Sequence, residues 1–158
     1  MTEPPAAMEE EFNAWYDDEH MHERLSIPGF RSARRWICDC RPGEGKYLAT
    51  YELDSLSILQ SKPYLDRFNN QTPWSKRCLG KAVVFRRWAM EQLGDADPRS
   101  EAKALVLVLS DSSTGGVQVP GALQARHFHD AAGKPPYAAL FELADFRNVG
   151  HGRVYRAY

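Results

Sequence analysis

The chain has few cysteines, no excess of basic residues and no long apolar run. Its three cysteines, Cys38, Cys40 and Cys78, are odd in number and not spaced as a framework. That pattern excludes a disulfide scaffold and makes a reducing cytoplasm the default setting. Lys and Arg number 20 against 21 Asp and Glu, a formal net charge of −1, so nucleic-acid binding is not expected. Nothing approaches the roughly 20 apolar residues that span a bilayer, and no membrane segment is expected. The opening MTEPPAAMEEEF has neither the basic nor the apolar region of a secretory signal. Gly-rich phosphate loops of the G-x-G-x-x-G or Walker type are missing, which argues against a nucleotide cofactor. What remains is 43% hydrophobic and 26% charged. This composition suits a compact cytosolic α+β protein of one domain or two small fused halves.

The halves resemble each other. Ile27-Pro28-Gly29-Phe30-Arg31-Ser32-Ala33-Arg34-Arg35-Trp36 matches Val119-Pro120-Gly121-Ala122-Leu123-Gln124-Ala125-Arg126-His127-Phe128. Tyr47-Leu48-Ala49-Thr50-Tyr51-Glu52-Leu53 matches Tyr137-Ala138-Ala139-Leu140-Phe141-Glu142-Leu143. Gly80 to Trp88 matches Gly150 to Tyr158, and the three segments keep their order. One α/β unit occurs twice, over residues 1–95 and 101–158.

Alternation from Arg31 to Asp39, the turn Arg41 to Gly45 and a second run from Lys46 to Leu53 predict a β-hairpin. Val83 to Met90 is predicted as the closing strand. Lys103 to Leu109, the most apolar run, is predicted as a central strand. Helices are expected mainly in the first half. Glu9 to Leu25 carries Phe12, Trp15, Tyr16, Glu19, His20 and Glu23 at three- and four-residue spacing. Asp54 or Ser55 could cap a second helix, Ser61 with Pro63 starts a helical turn, and Thr72 to Leu79 makes a short helix. In the second half a loop, Asp111 to Gly116, replaces the first helix, and the second shrinks to a remnant around Phe146-Arg147-Asn148. Met1 to Ala7, with two prolines, is a poor strand candidate. The first strand of copy one is then absent, lies upstream, or comes from a partner chain.

A β-α-β-β-α-β half, duplicated, is the pattern of paired ferredoxin-like units. Glu11-Phe12-Asn13-Ala14-Trp15-Tyr16-Asp17-Asp18-Glu19-His20, then Glu23-Arg24-Leu25 and Ile27-Pro28-Gly29-Phe30, resembles the dimeric α/β-barrel superfamily, nearest to its EthD-like and NIPSNAP-like groups. Thr72-Pro73-Trp74-Ser75-Lys76-Arg77 is similar to a segment of related bacterial proteins. The resemblance covers about the first 90 residues directly and the rest through the repeat. It implies an α/β-barrel-type fold and a possible homodimer. It does not single out a reaction, since the superfamily is implied to hold cofactor-free oxygenases, isomerases, cyclases, decarboxylases, haem proteins and members without activity. The pruned second half argues against a duplicated active site.

His20 is the leading catalytic candidate. It shares a helix face with Tyr16 and Arg24, and an imidazole titrating near neutrality can take and return a proton. The plain alternative is a polar residue favoured near the helix end by the dipole. Glu19, in register with Trp15, and Asp17, three residues before His20, are expected to orient the ring; the other reading makes these acids solvated surface. Of Arg34 and Arg35 one faces inward. Arg35 is expected to hold an anionic oxygen, the alternative being a cross-strand pair with Glu52. Trp15, Tyr16, Arg24, Trp36 and His127 are the substrate-binding candidates, walls for an apolar or aromatic molecule. Cys38-x-Cys40 and His127-x-His129 put ligand types on strand faces, yet without C-x-x-C or H-E-x-x-H spacing no metal is expected. The two cysteines are expected to pack as small apolar residues. The leading expectation is a cofactor-free enzyme moving a proton on an aromatic or apolar carbonyl compound, as an isomerase, cyclase or decarboxylase. The competing expectations are a non-catalytic binding or assembly module and a cofactor-free monooxygenase.

Overall fold

A computed structural model describes residues 1–146 and 152–158. The described chain is α+β: nine strands, with the helices mostly in its first half. Two compact units are distinguished, Met1–Arg35 with Cys40–Arg87, and Trp36–Asp39 with Trp88–Tyr158.

In the first unit a continuous helix runs from α1 (Glu9–Trp15) through a π-helical turn (Tyr16–His20) into α2 (Met21–Leu25). Glu9, Glu10 and Glu11 lie in its first turn, where the helix dipole favours negative charge. The wide turn is closed by the Met21 N–H, which donates to the Tyr16 carbonyl five residues back. Such turns are rare and concentrate at functional sites. Phe12, Trp15, Tyr16, His20 and Arg24 are buried along this helix, so the predicted stripe is the inward face. Two shorter helices follow, α3 (Lys62–Asn69) and α4 (Pro73–Gly80), each with proline in its first turn. Their caps are Ser61 and Thr72, whose hydroxyls accept from the Tyr64 and Ser75 N–H groups.

The strands of this unit are β1 (Thr2–Glu3), β2 (Phe30–Ile37), β3 (Tyr47–Leu53) and β4 (Val84–Phe85), in the order β4-β1-β3-β2. Gly29 turns the chain from helix to β2 at φ +94°, and a Cβ there would collide with the Ile58 side chain. Only glycine fits both demands. Two expectations are corrected here. Thr2–Glu3 does form a strand, pairing Thr2 with Tyr47 on one side and with Phe85 on the other. It ends where Pro4 and Pro5 begin, as their missing N–H groups require. The closing strand predicted over Val83 to Met90 shrinks to Val84–Phe85.

The second unit holds β5 (Glu91–Leu93), β6 (Ala104–Ser110), β7 (Gln124–His129), β8 (Tyr137–Leu143) and β9 (Arg153–Ala157), in the order β9-β6-β8-β7-β5. The last residues of β2 join it, Trp36 opposite Ala157 and Ile37 opposite Arg156. The pairings are antiparallel. β6 lies between β8 and β9, the central place its apolar run predicts. Ala104, Val106, Val119, Ala139, Phe141 and Leu143 form the buried core. β4 is an edge strand of the first unit and β5 of the second, and no barrel closure is shown among the described residues. Of the helical remnant predicted around Phe146-Arg147-Asn148, Arg147 and Asn148 lie outside the described residues.

The cysteine expectation is also corrected. Cys38 and Cys40 are disulfide-bonded instead of packing as free thiols, while Cys78 is a buried free thiol. Their two-residue spacing escaped the reading because it matches no framework pattern.

Candidate functional site

The helix 9–25 carries the site because its wide turn and four-residue spacing place Tyr16, His20 and Arg24 on the buried face. His20 is only 9% exposed. Its ring lies 4.4 Å from Trp15 and 5.0 Å, edge-on, from Tyr16. Its Nδ1 is buried and has no hydrogen-bond partner among the described residues. Burial, then the positive charges of Arg24 and Arg35, holds the imidazole down at about 3, so it is neutral at pH 7.

The expected orienting acids have other partners. Asp17 accepts from Arg35 Nη1 at 2.7 Å. Glu19 Oε1 accepts from Thr72 Oγ1 at 2.6 Å, Ser75 Oγ at 3.0 Å and Trp15 Nε1 at 3.1 Å. Glu19 therefore fastens the helix to the start of α4. Neither carboxylate is hydrogen-bonded to His20, because each finds fixed donors farther along the chain.

Arg35 does face inward, its side chain 4% exposed. Its fork is engaged, however, by Asp17 and by Asn13 Oδ1 at 2.5 Å. The guanidinium also lies 4.5 Å from the Tyr16 ring centroid and 5.4 Å from that of Tyr47. It acts as a positioned charge between two aromatic faces, and those nitrogens are not open to a substrate oxygen.

Arg24 stands differently. It is 9% exposed, and its guanidinium carbon lies 5.5 Å from the Tyr64 ring centroid. Phe30 stacks on Tyr64 at 6.2 Å and meets Tyr51 edge-on at 6.0 Å. The Tyr51 hydroxyl is buried with no hydrogen bond of normal geometry. Burial, and then the neighbouring Tyr16 phenol, pushes its pKa well up; Tyr16 is raised as well, by burial. Trp74 Nε1 is also buried without a hydrogen-bond partner among the described residues.

Thus Trp15, Tyr16, Asp17, Glu19, His20, Arg24 and Arg35 all belong to the first unit. The other two candidates do not. Trp36 is fully buried in the second unit. His127, also in the second unit, has its Nδ1 2.9 Å from Thr114 Oγ1. His129 lies against Tyr137 at 4.7 Å. Among the described residues no group of three His, Cys, Asp or Glu could hold a metal ion.

Sequence reasoning missed Tyr51 and Tyr64 as site residues. The signal for Tyr51 was present: it shares a strand face with Tyr47, four residues away. Tyr64, by contrast, joins through packing that periodicity does not reveal. No family model, curated protein or solved structure matches this chain.

Proposed function

We propose that the protein is a cofactor-free enzyme that moves a proton on an apolar or aromatic carbonyl compound, in an isomerisation, cyclisation or decarboxylation. The observation that carries this reading is the His20 imidazole, sequestered beside Trp15 and Tyr16 on a π-helical turn with Nδ1 free of any protein partner. A neutral imidazole can donate to, or accept from, a reacting oxygen or carbon. The cations that disfavour imidazolium favour an enolate beside it. Once present, that enolate offsets the cations and draws the His20 pKa upward, so the proton can be shared. Tyr16 and Trp15 form the walls, and Arg35 contributes charge from its fixed position.

In this reading His20→Ala lowers turnover by about 100-fold or more. The assay is deuterium exchange from solvent into the acidic C–H of β-keto compounds, followed by NMR. Unchanged exchange removes His20 from the chemistry. A second reading, a non-catalytic binding module, is favoured by the absence of a carboxylate on His20 and predicts binding with no exchange in either protein.

The finer fold assignment is part of the proposal: two ferredoxin-like halves, with an α/β barrel completed by a second copy of the chain. The exposed Val83 and Phe85 at the β4 edge support it. Sedimentation at micromolar concentration is expected to show a dimer; a monomer alone would remove the dimeric barrel. A cytoplasmic setting belongs to the same proposal. The disulfide state of Cys38 and Cys40 weighs against it, because cytosolic thiols are kept reduced.

A further inference from the structure

We propose that Arg24, with His20 and Tyr51, forms a subsite for the carboxylate of an aromatic acid, so that the ligand is an anion with a planar apolar body. The inference deepens the function proposed above and rests on it for the reaction, though not for the binding.

Arg24 is nine-tenths buried, and no described carboxylate or carbonyl pairs with its guanidinium. Burial disfavours a cation that lacks a counter-charge, because it removes water that would otherwise stabilise the charge. The Tyr64 face offsets only part of that through cation–π attraction. The acids nearest along the helix are committed: Asp17 to Arg35, Glu19 to Trp15, Thr72 and Ser75, and Glu23 to Arg67 at 3.6 Å. Asp17 already balances Arg35, so Arg24 is the cation left over. A second guanidinium, Arg87, lies 5.8 Å from the same Tyr64 ring centroid. The local field favours an anion.

Hydrogen-bonding capacity points the same way. Among the described residues His20 Nδ1 has no hydrogen-bond partner, and Tyr51 Oη, with the Tyr16 phenol beside it, has no hydrogen bond of normal geometry. Both feel the Arg24 charge, which contributes to the pKa of each. A planar guanidinium fork, a phenol and an imidazole form a donor set suited to carboxylate, which accepts at up to four lone-pair positions. Phosphate suits it less, for a single buried guanidinium leaves most of its charge unmatched. Phe30 and Tyr64 supply the apolar surface against which an aromatic body would lie.

The test uses the full chain and two probes of nearly equal shape, 2-naphthoate and 2-naphthamide, titrated by calorimetry at pH 7.5. The wild type is expected to bind naphthoate at least about tenfold more tightly than the amide. Arg24→Gln should abolish that preference while leaving amide affinity in place, and Arg24→Lys should restore part of it. Tyr51→Phe removes a buried hydroxyl that makes no hydrogen bond of normal geometry, so it should fold about as stably. It should weaken naphthoate alone, by about fivefold. Equal affinity for both probes, no binding of either, or a preference that survives Arg24→Gln in a protein with wild-type circular dichroism would overturn the subsite. The proposed reaction fails separately. If His20→Ala keeps full turnover while the carboxylate preference depends on Arg24, the subsite stands and the proton-transfer role falls.

Discussion

Glu142→Ala is expected to cost the second unit about 3–5 kcal/mol, the range for stranding one member of a buried ion pair. Glu142 and Arg126 have side chains 1% and 2% exposed, joined at 3.2 Å through Glu142 Oε1 and Arg126 Nη2. The other carboxylate oxygen accepts from Gln124 Nε2 at 2.7 Å and from the Arg99 N–H at 2.9 Å. Without the carboxylate, Arg126 loses the counter-charge it meets at 3.2 Å, while its Nη1 still donates to Gln92 Oε1. Alanine would therefore remove the counter-charge, loosen the loop at Arg99 and leave a cavity between β7 and β8. Amide hydrogen exchange of β6, β7 and β8 measures the loss. The double replacement Glu142→Leu with Arg126→Met exchanges the pair for apolar volume and should stay within about 2 kcal/mol of wild type. A single variant costing under about 1 kcal/mol would show that solvent reaches the pair.

Acidification should destabilise the first unit through His20, and by a slope that can be stated. In the unfolded chain its imidazole takes a proton near pH 6.5, whereas in the fold it stays neutral down to about 3. Above 6.5 neither state binds that proton, and His20 contributes no pH dependence. Between these values the unfolded state gains a proton that the folded state refuses, so stability falls as pH falls, by about 1.4 kcal/mol per pH unit. From pH 6.5 to 5 the loss is about 2 kcal/mol. Arg24 on the same helix and Arg35 on β2 are the charges acting on the ring, and the Tyr16 phenol meets it edge-on. Guanidinium unfolding of wild type and His20→Leu at both pH values isolates the effect. If the two proteins lose the same stability, the imidazole is not held neutral in the fold.

Several parts of this architecture were legible before any coordinates. The run KALVLVL identified β6 as central, because a strand with neighbours on both sides and apolar faces needs no polar alternation. Spacing along residues 9–25 identified a helix and its inward face, and hydroxyl-then-proline pairs at Ser61 and Thr72 marked two helix starts. These are local signals, written within a few residues. The strand at Thr2–Glu3 was not legible. Its hydrogen bonds come from far along the chain, the Val83 N–H to the Glu3 carbonyl and the Arg86 N–H to the Met1 carbonyl. Two residues carry no periodicity, so only their partners make them a strand.

The site divides in the same way. Periodicity alone determined that Tyr16, His20 and Arg24 share one buried helix face, since four-residue spacing stacks side chains whatever surrounds them. Tertiary structure alone decided what each charged group does there. Asp17 is spent on Arg35, 18 residues away, and Glu19 on Thr72, 53 residues away, while Arg24 keeps only an aromatic face. Those outcomes depend on which donors reach each carboxylate once the chain is packed. Burial then turns His20 from an ordinary surface imidazole into one held neutral at pH 7. Residue identity set which groups were available; the long-range contacts set their partners and their protonation, because desolvation and pairing are properties of the folded environment.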